Sequence, residues 1–372
     1  MAKWLKITLS LVFSLISFVV LVLAGYVIYL SCQYYRIEDN QALVTTNNQT
    51  SKVQAGTMYS ISTYNIGFGA YSHDFTFFMD SGEMLDGTKT QGSGSRAKDK
   101  QTVLDNTSGA ISWIMPKNVD FAFFQEVDTN SSRSYGVNQF NMLQEEFLGY
   151  SSTFASNFHS GYLFYPLTNP HGKVESGIST FSKYEIESAV RRSFPIDESF
   201  PTKFFDLDRC FSVFKLPVAD STKKLVLINL HMSAYDEGGK IRAKQLELLT
   251  NYIQEEYDAG NYVIAGGDWN HDIANSKNYF KTGQKIPNWV GEISADDIPS
   301  NFSFAQSLNA PTCRSTDIAY TKNESDDSLV NYNLVIDGFL VSDNITINFV
   351  ENIDTDFLNS DHNPVFMQFT LN

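Results

Sequence analysis

The chain is 372 residues long, 42% hydrophobic, 14% aromatic and 19% charged, a composition that fills a sizeable core and excludes disorder as the dominant state. Its formal charge of −15 disfavours nucleic acid as a partner, because a protein that lives on phosphate contacts presents a basic face. Three cysteines, Cys32, Cys210 and Cys313, are too few and too scattered for a disulfide framework or a zinc site, and leave open only a single Cys210–Cys313 bridge.

No charged residue interrupts the run from Ile7 to Leu30. At about 1.5 Å per residue, a helix over that run exceeds the roughly 30 Å of a bilayer's hydrocarbon core. This predicts a transmembrane anchor over residues 1–31. Lys3 and Lys6 precede the run while Glu38 and Asp39 follow it. The N-terminus is therefore expected in the cytoplasm, with the rest exported across a cell membrane crossed once. A cleaved signal peptide competes, although its apolar core spans only about 7–15 residues. A lipoprotein signal ending at Cys32 is a third alternative, poorly matched by Tyr29-Leu30-Ser31. Residues 32–56 are rich in Gln, Asn, Thr and Ser without apolar periodicity, and read as a linker, a flexible tether of about 25–30 Å span.

The domain over 57–372 carries the acidity and reads as strands interspersed with a few helices. Runs at 58–65, 119–125, 176–182, 210–216, 224–231, 262–267, 333–341, 345–350 and 364–371 have strand length and composition. Helical spacing marks 101–115, 138–148 and 240–256; in the last, Ile241, Gln245, Leu248, Leu249 and Ile253 alternate with charges. The excess of strands suits two packed sheets better than a singly wound parallel sheet, which needs a helix at each crossover. Residues 68–99 read as one long loop, Gly/Ser-rich toward its end.

Several apolar runs end in a polar side chain that a strand does not itself need. They are TYNIG at Asn65, FAFFQEVD at Glu126, VLINLHMSAYD at His231, YVIAGGDWNHD at Asp268 and Asn270, LVIDGFLVSD at Asp337, and NSDHNPVF at Asp361 and His362. If these ends share one rim, they can hold a metal and a hydrolytic water. Each alone has a plainer reading: a turn residue, a strand exit, a core histidine, a cap after a glycine turn, a capped loop. Asp337 resists this, because an unpaired carboxylate inside an apolar strand is costly and needs a partner. The plainer readings would also have to hold in every segment at once.

The pieces T-Y-N, F-F-Q-E-V, S-G-I-S-T-F-S-K-Y (176–184), N-L-H, G-G-D-W-N, I-D-G-F-L-V-S and S-D-H-N-P-V occur in that order from about residue 58 to 371. In this the sequence resembles the endonuclease/exonuclease/phosphatase family of metal-dependent phosphoesterases, which includes pancreatic-type deoxyribonucleases, apurinic endonucleases, inositol polyphosphate phosphatases and bacterial sphingomyelinases. The resemblance implies a four-layered α/β sandwich, two mixed β-sheets face to face with helices outside. It implies a magnesium ion, with manganese as the alternative, at Glu126 with Asn65 beside it and Asp361 completing the set. Asp268 would position or deprotonate the attacking water, with Asn270 donating an amide hydrogen bond to a phosphate oxygen. His362 would sit against the phosphate with Asp337 holding its imidazole, and His231 would be the second phosphate-facing histidine. Which histidine is the general acid, and whether one metal or two are used, stay open. His231 and the Gln125-Glu126-Val127-Asp128 text place the chain nearer the phosphatase, sphingomyelinase and deoxyribonuclease branches than the apurinic endonucleases, which carry asparagine and Q-E-T-K there.

The expected function is a membrane-anchored, metal-dependent phosphodiesterase or phosphatase acting on a small or lipid-linked phosphoester. The alternatives are a surface endonuclease acting on extracellular nucleic acid and a catalytically inactive binding protein on the same fold. Arg209, at a strand entrance, is the leading candidate to bind substrate phosphate, ahead of Arg191, Arg192 and Lys203; an exposed strand-edge charge reads equally well. Phe68, Tyr71, Phe75, Phe77 and Phe78, and likewise Phe158, Tyr162, Phe164 and Tyr165, suit a membrane interface, base stacking or the packing of a long loop.

Overall fold

The computed structural model describes residues 3–205, 207–234 and 239–372. Helix α1 (Lys3–Gln33) is continuous, and most of its large apolar side chains are exposed. Among the described residues it is the one helix long and apolar enough to cross a membrane. Its last turns pack onto the domain, where Tyr26 and Leu30 meet Leu163 and Phe204.

The strands of the two large sheets are, in chain order, β1 (Gln41–Ala42), β2 (Met58–Asn65), β3 (Phe121–Asp128), β4 (Ser151–Leu163), β5 (Gly172–Ser182), β6 (Ser188–Ser193) and β7 (Cys210–Pro217). They continue with β8 (Lys224–His231), β9 (Tyr262–Asp268), β10 (Phe302–Ala305), β11 (Asp337–Ser342), β12 (Ile345–Asn352) and β13 (Val365–Leu371). Among the described residues they form a seven-stranded sheet in the order β1-β6-β7-β8-β9-β11-β10 and a six-stranded sheet in the order β12-β13-β2-β3-β5-β4. Each sheet is mixed, with β8/β9 and β2/β3 running parallel beside antiparallel neighbours.

The strands face each other because their apolar sides alternate into one slab. Ile61, Phe121 and Phe123 of one sheet pack there against Phe214, Leu227 and Ile264 of the other. On the outside, α2 (Lys100–Ile114) and α3 (Gln139–Glu146) cover the six-stranded sheet through Ile111, Ile114 and Leu143. Helix α4 (Lys240–Asp258) covers the seven-stranded sheet through Leu249 and Ile253. The result is the expected four-layered α/β sandwich. A buried polar link ties the layers together: Gln125 Nε2 donates to Thr63 Oγ1 (3.0 Å) and, across the slab, to Asn229 Oδ1 (2.8 Å).

Four local expectations are corrected. Residues 34–56 are not a free tether but lie along the domain. Asp208 accepts from Arg36 Nε (2.9 Å) and from the Ile37 amide (2.8 Å), β1 pairs with β6, and Val53 is fully buried in the inter-sheet core. Apart from Val53 and Leu43, these contacts run through backbone and polar groups, which leave no apolar period in the sequence. Strands β4 and β6 were not expected, because serine-rich text reads as a turn; pairing with β5 and β7 overrides that local preference. The run 333–341 breaks in two, since the Val335 and Ile336 amides are taken by Ser276 Oγ and Thr312 Oγ1 rather than by a strand. Within 68–99, Phe68, Tyr71 and Phe75 form a satellite core with Val103 and Val137, and Ser81–Glu83 pairs with Lys89–Gln91. Cys210 and Cys313 are buried free thiols, so the bridge left open by the sequence is not made.

Candidate active site

Register brings the polar strand ends together. In the parallel β8/β9 pair, His231 lies opposite Asp268, and in the antiparallel β9/β11 pair Asp268 lies opposite Asp337. In the facing sheet, the parallel β2/β3 pair sets Asn65 opposite Gln125, one residue before Glu126. A bulge between Phe124 and Val127, with Glu126 at φ +54°, turns the Glu126 side chain out of the ladder toward this rim. Gly267 has φ +146°, and a Cβ there would lie 2.0 Å from the Leu230 carbonyl oxygen, which explains the glycine before Asp268.

Asp268 is the hub. Its Oδ2 accepts from Asn65 Nδ2 (2.9 Å) and lies 3.3 Å from His231 Nε2 and 3.8 Å from His362 Nε2. Its Oδ1 accepts from the Asn270 amide (2.8 Å). Burial pushes the Asp268 carboxyl up to about 6, against the pull of His362. Asp337 is buried, and its Oδ2 accepts from His362 Nδ1 at 2.8 Å. Burial alone would lower the His362 pKa, but the Asp337 carboxylate outweighs it and holds the imidazole well above its ordinary range. His231 is driven the other way, well below its ordinary range, by burial and by the positive charge of Arg209 and His362. The two histidines are therefore electrostatically distinct: Asp337 favours the charged form of His362, and burial favours the neutral form of His231.

Glu126 Oε1 lies 3.4 Å from Asn65 Nδ2 and 4.0 Å from His231 Nε2. Burial, reinforced by Glu126, pushes Asp361 up to about 7 despite the opposing charge of His362. Two carboxylates at one end of a cavity, Glu126 raising Asp361, fit a cation, and the oxygens of Glu126, Asp361 and Asn65 are the hard donors that magnesium takes. The Asn65 oxygen already accepts from the Gly67 amide (3.0 Å), which fixes its orientation while leaving a second lone pair. Asp268, Asp337 and His362 form a tighter group, with ligand atoms within 4.8 Å of one another, but it is tied up by its own hydrogen bonding.

Of the residues singled out in the sequence, Glu126, Arg209, His231, Asp268, Asn270, Asp361 and His362 line one cavity of about 870 Å³, with Asn65 and Asp337 directly behind them. Asn270, at φ +50°, donates its side-chain amide to the Met232 carbonyl (2.8 Å). Arg191, Arg192 and Lys203 do not reach this cavity. Arg191 is buried on Ser156 O (2.8 Å) and Asp208 O (2.8 Å), Arg192 pairs with Asp39 (3.0 Å), and Lys203 lies over Tyr34. Sequence reasoning missed Arg314. It lines the same cavity, 1% exposed, and its Nε and Nη2 have no hydrogen-bond partner among the described residues. Nothing in Thr312-Cys313-Arg314-Ser315 announces this; the bridge between Cys313 and His362 and the bond from the Arg314 amide to the Asp361 carbonyl (3.0 Å) carry Arg314 to the site.

The chain matches the sequence model of the endonuclease/exonuclease/phosphatase family over residues 62–343. No curated protein matches its sequence. Its fold is similar to the human Nocturnin catalytic domain with bound sulfate anion, at 14% identity and a TM-score of 0.51, covering 89% of this chain and 98% of that one. It is similar to an endonuclease/exonuclease/phosphatase from Beutenbergia cavernae (16% identity, TM-score 0.51, 84% of this chain and 72% of that one). It is likewise similar to D. rerio TDP2 complexed with single-strand DNA product (15% identity, TM-score 0.50, 84% and 99%). At these identities the likeness is one of fold.

Proposed function

Because the chain belongs to the endonuclease/exonuclease/phosphatase family, whose members hydrolyse phosphoesters, we propose that it is a divalent-metal-dependent phosphodiesterase or phosphatase. In this reading, residues 1–31 hold it at the cell membrane as a single-pass anchor, and residues 57–372 are the exported catalytic domain. The observation that carries the chemistry is the convergence of Asn65, His231 and His362, from three separate stretches of chain, on one oxygen of Asp268.

When bound at Glu126, Asn65 and Asp361, magnesium supplies neutralisation of the phosphate's charge, a role manganese also fills. The residues do the rest. Asp268, oriented by Asn65 and the Asn270 amide, holds the attacking water and takes its proton. His362, with Nδ1 committed to Asp337, presents Nε2 to the ester and gives a proton to the leaving oxygen. Neutral His231 donates from Nε2 to a non-bridging oxygen, and Arg209 and Arg314 add positive charge to an otherwise acidic protein.

The purified full-length chain, in detergent with magnesium, should hydrolyse bis(4-nitrophenyl) phosphate or 4-nitrophenyl phosphate. Asp268→Ala should lower turnover about 10²–10⁴-fold. Equal activity in parent and variant would mean that the wrong centre has been named. Binding of DNA that weakens steeply with added salt would instead mark a nuclease, the reading disfavoured by the charge of −15.

A further inference from the structure

The catalytic cavity is not polar throughout. Away from Asp268 and His231 its wall is mostly apolar, built from Phe78, Leu163, Tyr165, Phe205 and Leu207, with Asp80, Asp197 and Thr202 among them and the Phe78 and Tyr165 rings 5.7 Å apart. A small hydrophilic phosphoester has no use for that wall, and the site residues already described do not account for it.

The apolar end abuts the membrane helix. Tyr26 Oη donates to the Tyr162 carbonyl (3.1 Å), the Tyr162 amide donates to Tyr29 Oη (2.9 Å), and the Tyr26 and Phe164 rings meet edge to face at 5.3 Å. Leu163 thus touches the cavity on one side and Leu30 of α1 on the other. The same rim exposes large apolar side chains: Phe164 is 50% exposed, Leu167 84% and Phe200 65%. Tyrosines at the end of an apolar helix sit at the level of lipid headgroups. Side chains fastened to those tyrosines sit at the same level, so the surface that covers this rim is the one that covers α1.

Resting on the hydrolase and anchor readings above, we propose that the rim around Phe164, Leu167 and Phe200 seats in the bilayer surface, and that the substrate is a phospholipid of the adjoining leaflet. The lipid enters the cleft sideways. Its chain lies against Leu163, Tyr165, Phe205 and Leu207, and its phosphate reaches Asp268, His231 and His362. The acidic surface is no obstacle to a substrate delivered within the membrane plane, whereas it would repel a polyanion arriving through water.

The test uses the full-length chain reconstituted with magnesium into vesicles of mixed phosphatidylcholine, phosphatidylethanolamine and phosphatidylglycerol. Release of lipid cleavage products is compared with turnover of bis(4-nitrophenyl) phosphate added to the water. In the triple variant F164S/L167S/F200S, none of whose positions lines the cavity, lipid turnover should fall about tenfold or more, since membrane contact scales with buried apolar area. Turnover of the soluble diester should stay within about twofold, as for surface changes away from a site. A parent protein that cleaves the diester but none of the vesicle lipids overturns this proposal and leaves the hydrolase reading intact. Equal loss on both substrates, or no loss on lipid, also overturns it. A parent that cleaves neither, and is indistinguishable from Asp268→Ala, overturns the hydrolase reading itself. As a readout independent of activity, a solvent-sensitive fluorophore on Leu167→Cys, in a Cys32→Ser background, should emit further to the blue in nanodiscs when Phe164 and Phe200 are retained than when both are serine; identical spectra count against bilayer contact.

Discussion

The one hydrogen bond the Asp337 side chain makes among the described residues is to His362, which gives a sharp prediction. Its Oδ2 holds His362 Nδ1 at 2.8 Å, its Oδ1 has no hydrogen-bond partner among the described residues, and both residues are buried. A charge-assisted hydrogen bond of this kind contributes about 1.5–3 kcal/mol, and removing one partner of a buried pair costs about 3–5 kcal/mol because the other charge is stranded. Asp337→Asn keeps the volume but cannot stabilise an imidazolium. It should lower kcat about 10²–10⁴-fold, the usual range for a misplaced acid or base. His362→Ala should lose a similar amount. The double variant should be no worse than His362→Ala alone, within about threefold, because the two act as one unit. Initial rates on a chromogenic phosphodiester at saturating magnesium would measure this, with thermal unfolding recorded for each variant to separate catalysis from stability. Losses that multiply in the double variant would refute the reasoning, since Asp337 would then act independently of the imidazole.

Arg314→Met should leave the melting temperature unchanged or raised, because it removes two unpartnered buried N–H groups, while kcat/KM falls about tenfold or more; unchanged kinetics would remove Arg314 from the substrate site. A soluble fragment beginning at residue 57 should unfold more readily than one beginning at residue 34, by about 2–4 kcal/mol in denaturant titrations, since it lacks the buried Val53 and the edge strand β1. Acid should loosen the 34–39 segment. Burial alone would raise Asp208, but hydrogen bonds from His159 and the Ile37 amide, with Arg191 and Arg36 alongside, hold it below the ordinary carboxylate value of 3.8. Its contribution is therefore complete above that value and is lost as pH falls through the depressed one. Asp208→Asn should flatten the acid limb of the stability profile, as read by protease accessibility of residues 34–39.

What was legible in the sequence was whatever depends on near neighbours. Strands β2 and β8 occupy the predicted spans 58–65 and 224–231, and the observed α2 and α4 fall within two residues of theirs, because alternation and helical spacing are local patterns that survive without partners. The polar residues ending those strands were visible for the same reason, as departures from an apolar run. Tertiary structure decided the rest. The serine-rich β4 is a strand because β5 pairs with it, the 34–56 stretch is ordered because Asp208 and the sheet edge hold it, and Arg314 reaches the cavity because Cys313 bridges to His362. Each of these is a contact between residues distant in the chain, made through backbone groups or single side chains. Such contacts leave no period in the sequence, and neither does an apolar cavity wall assembled from three separate stretches of chain near the end of the N-terminal helix.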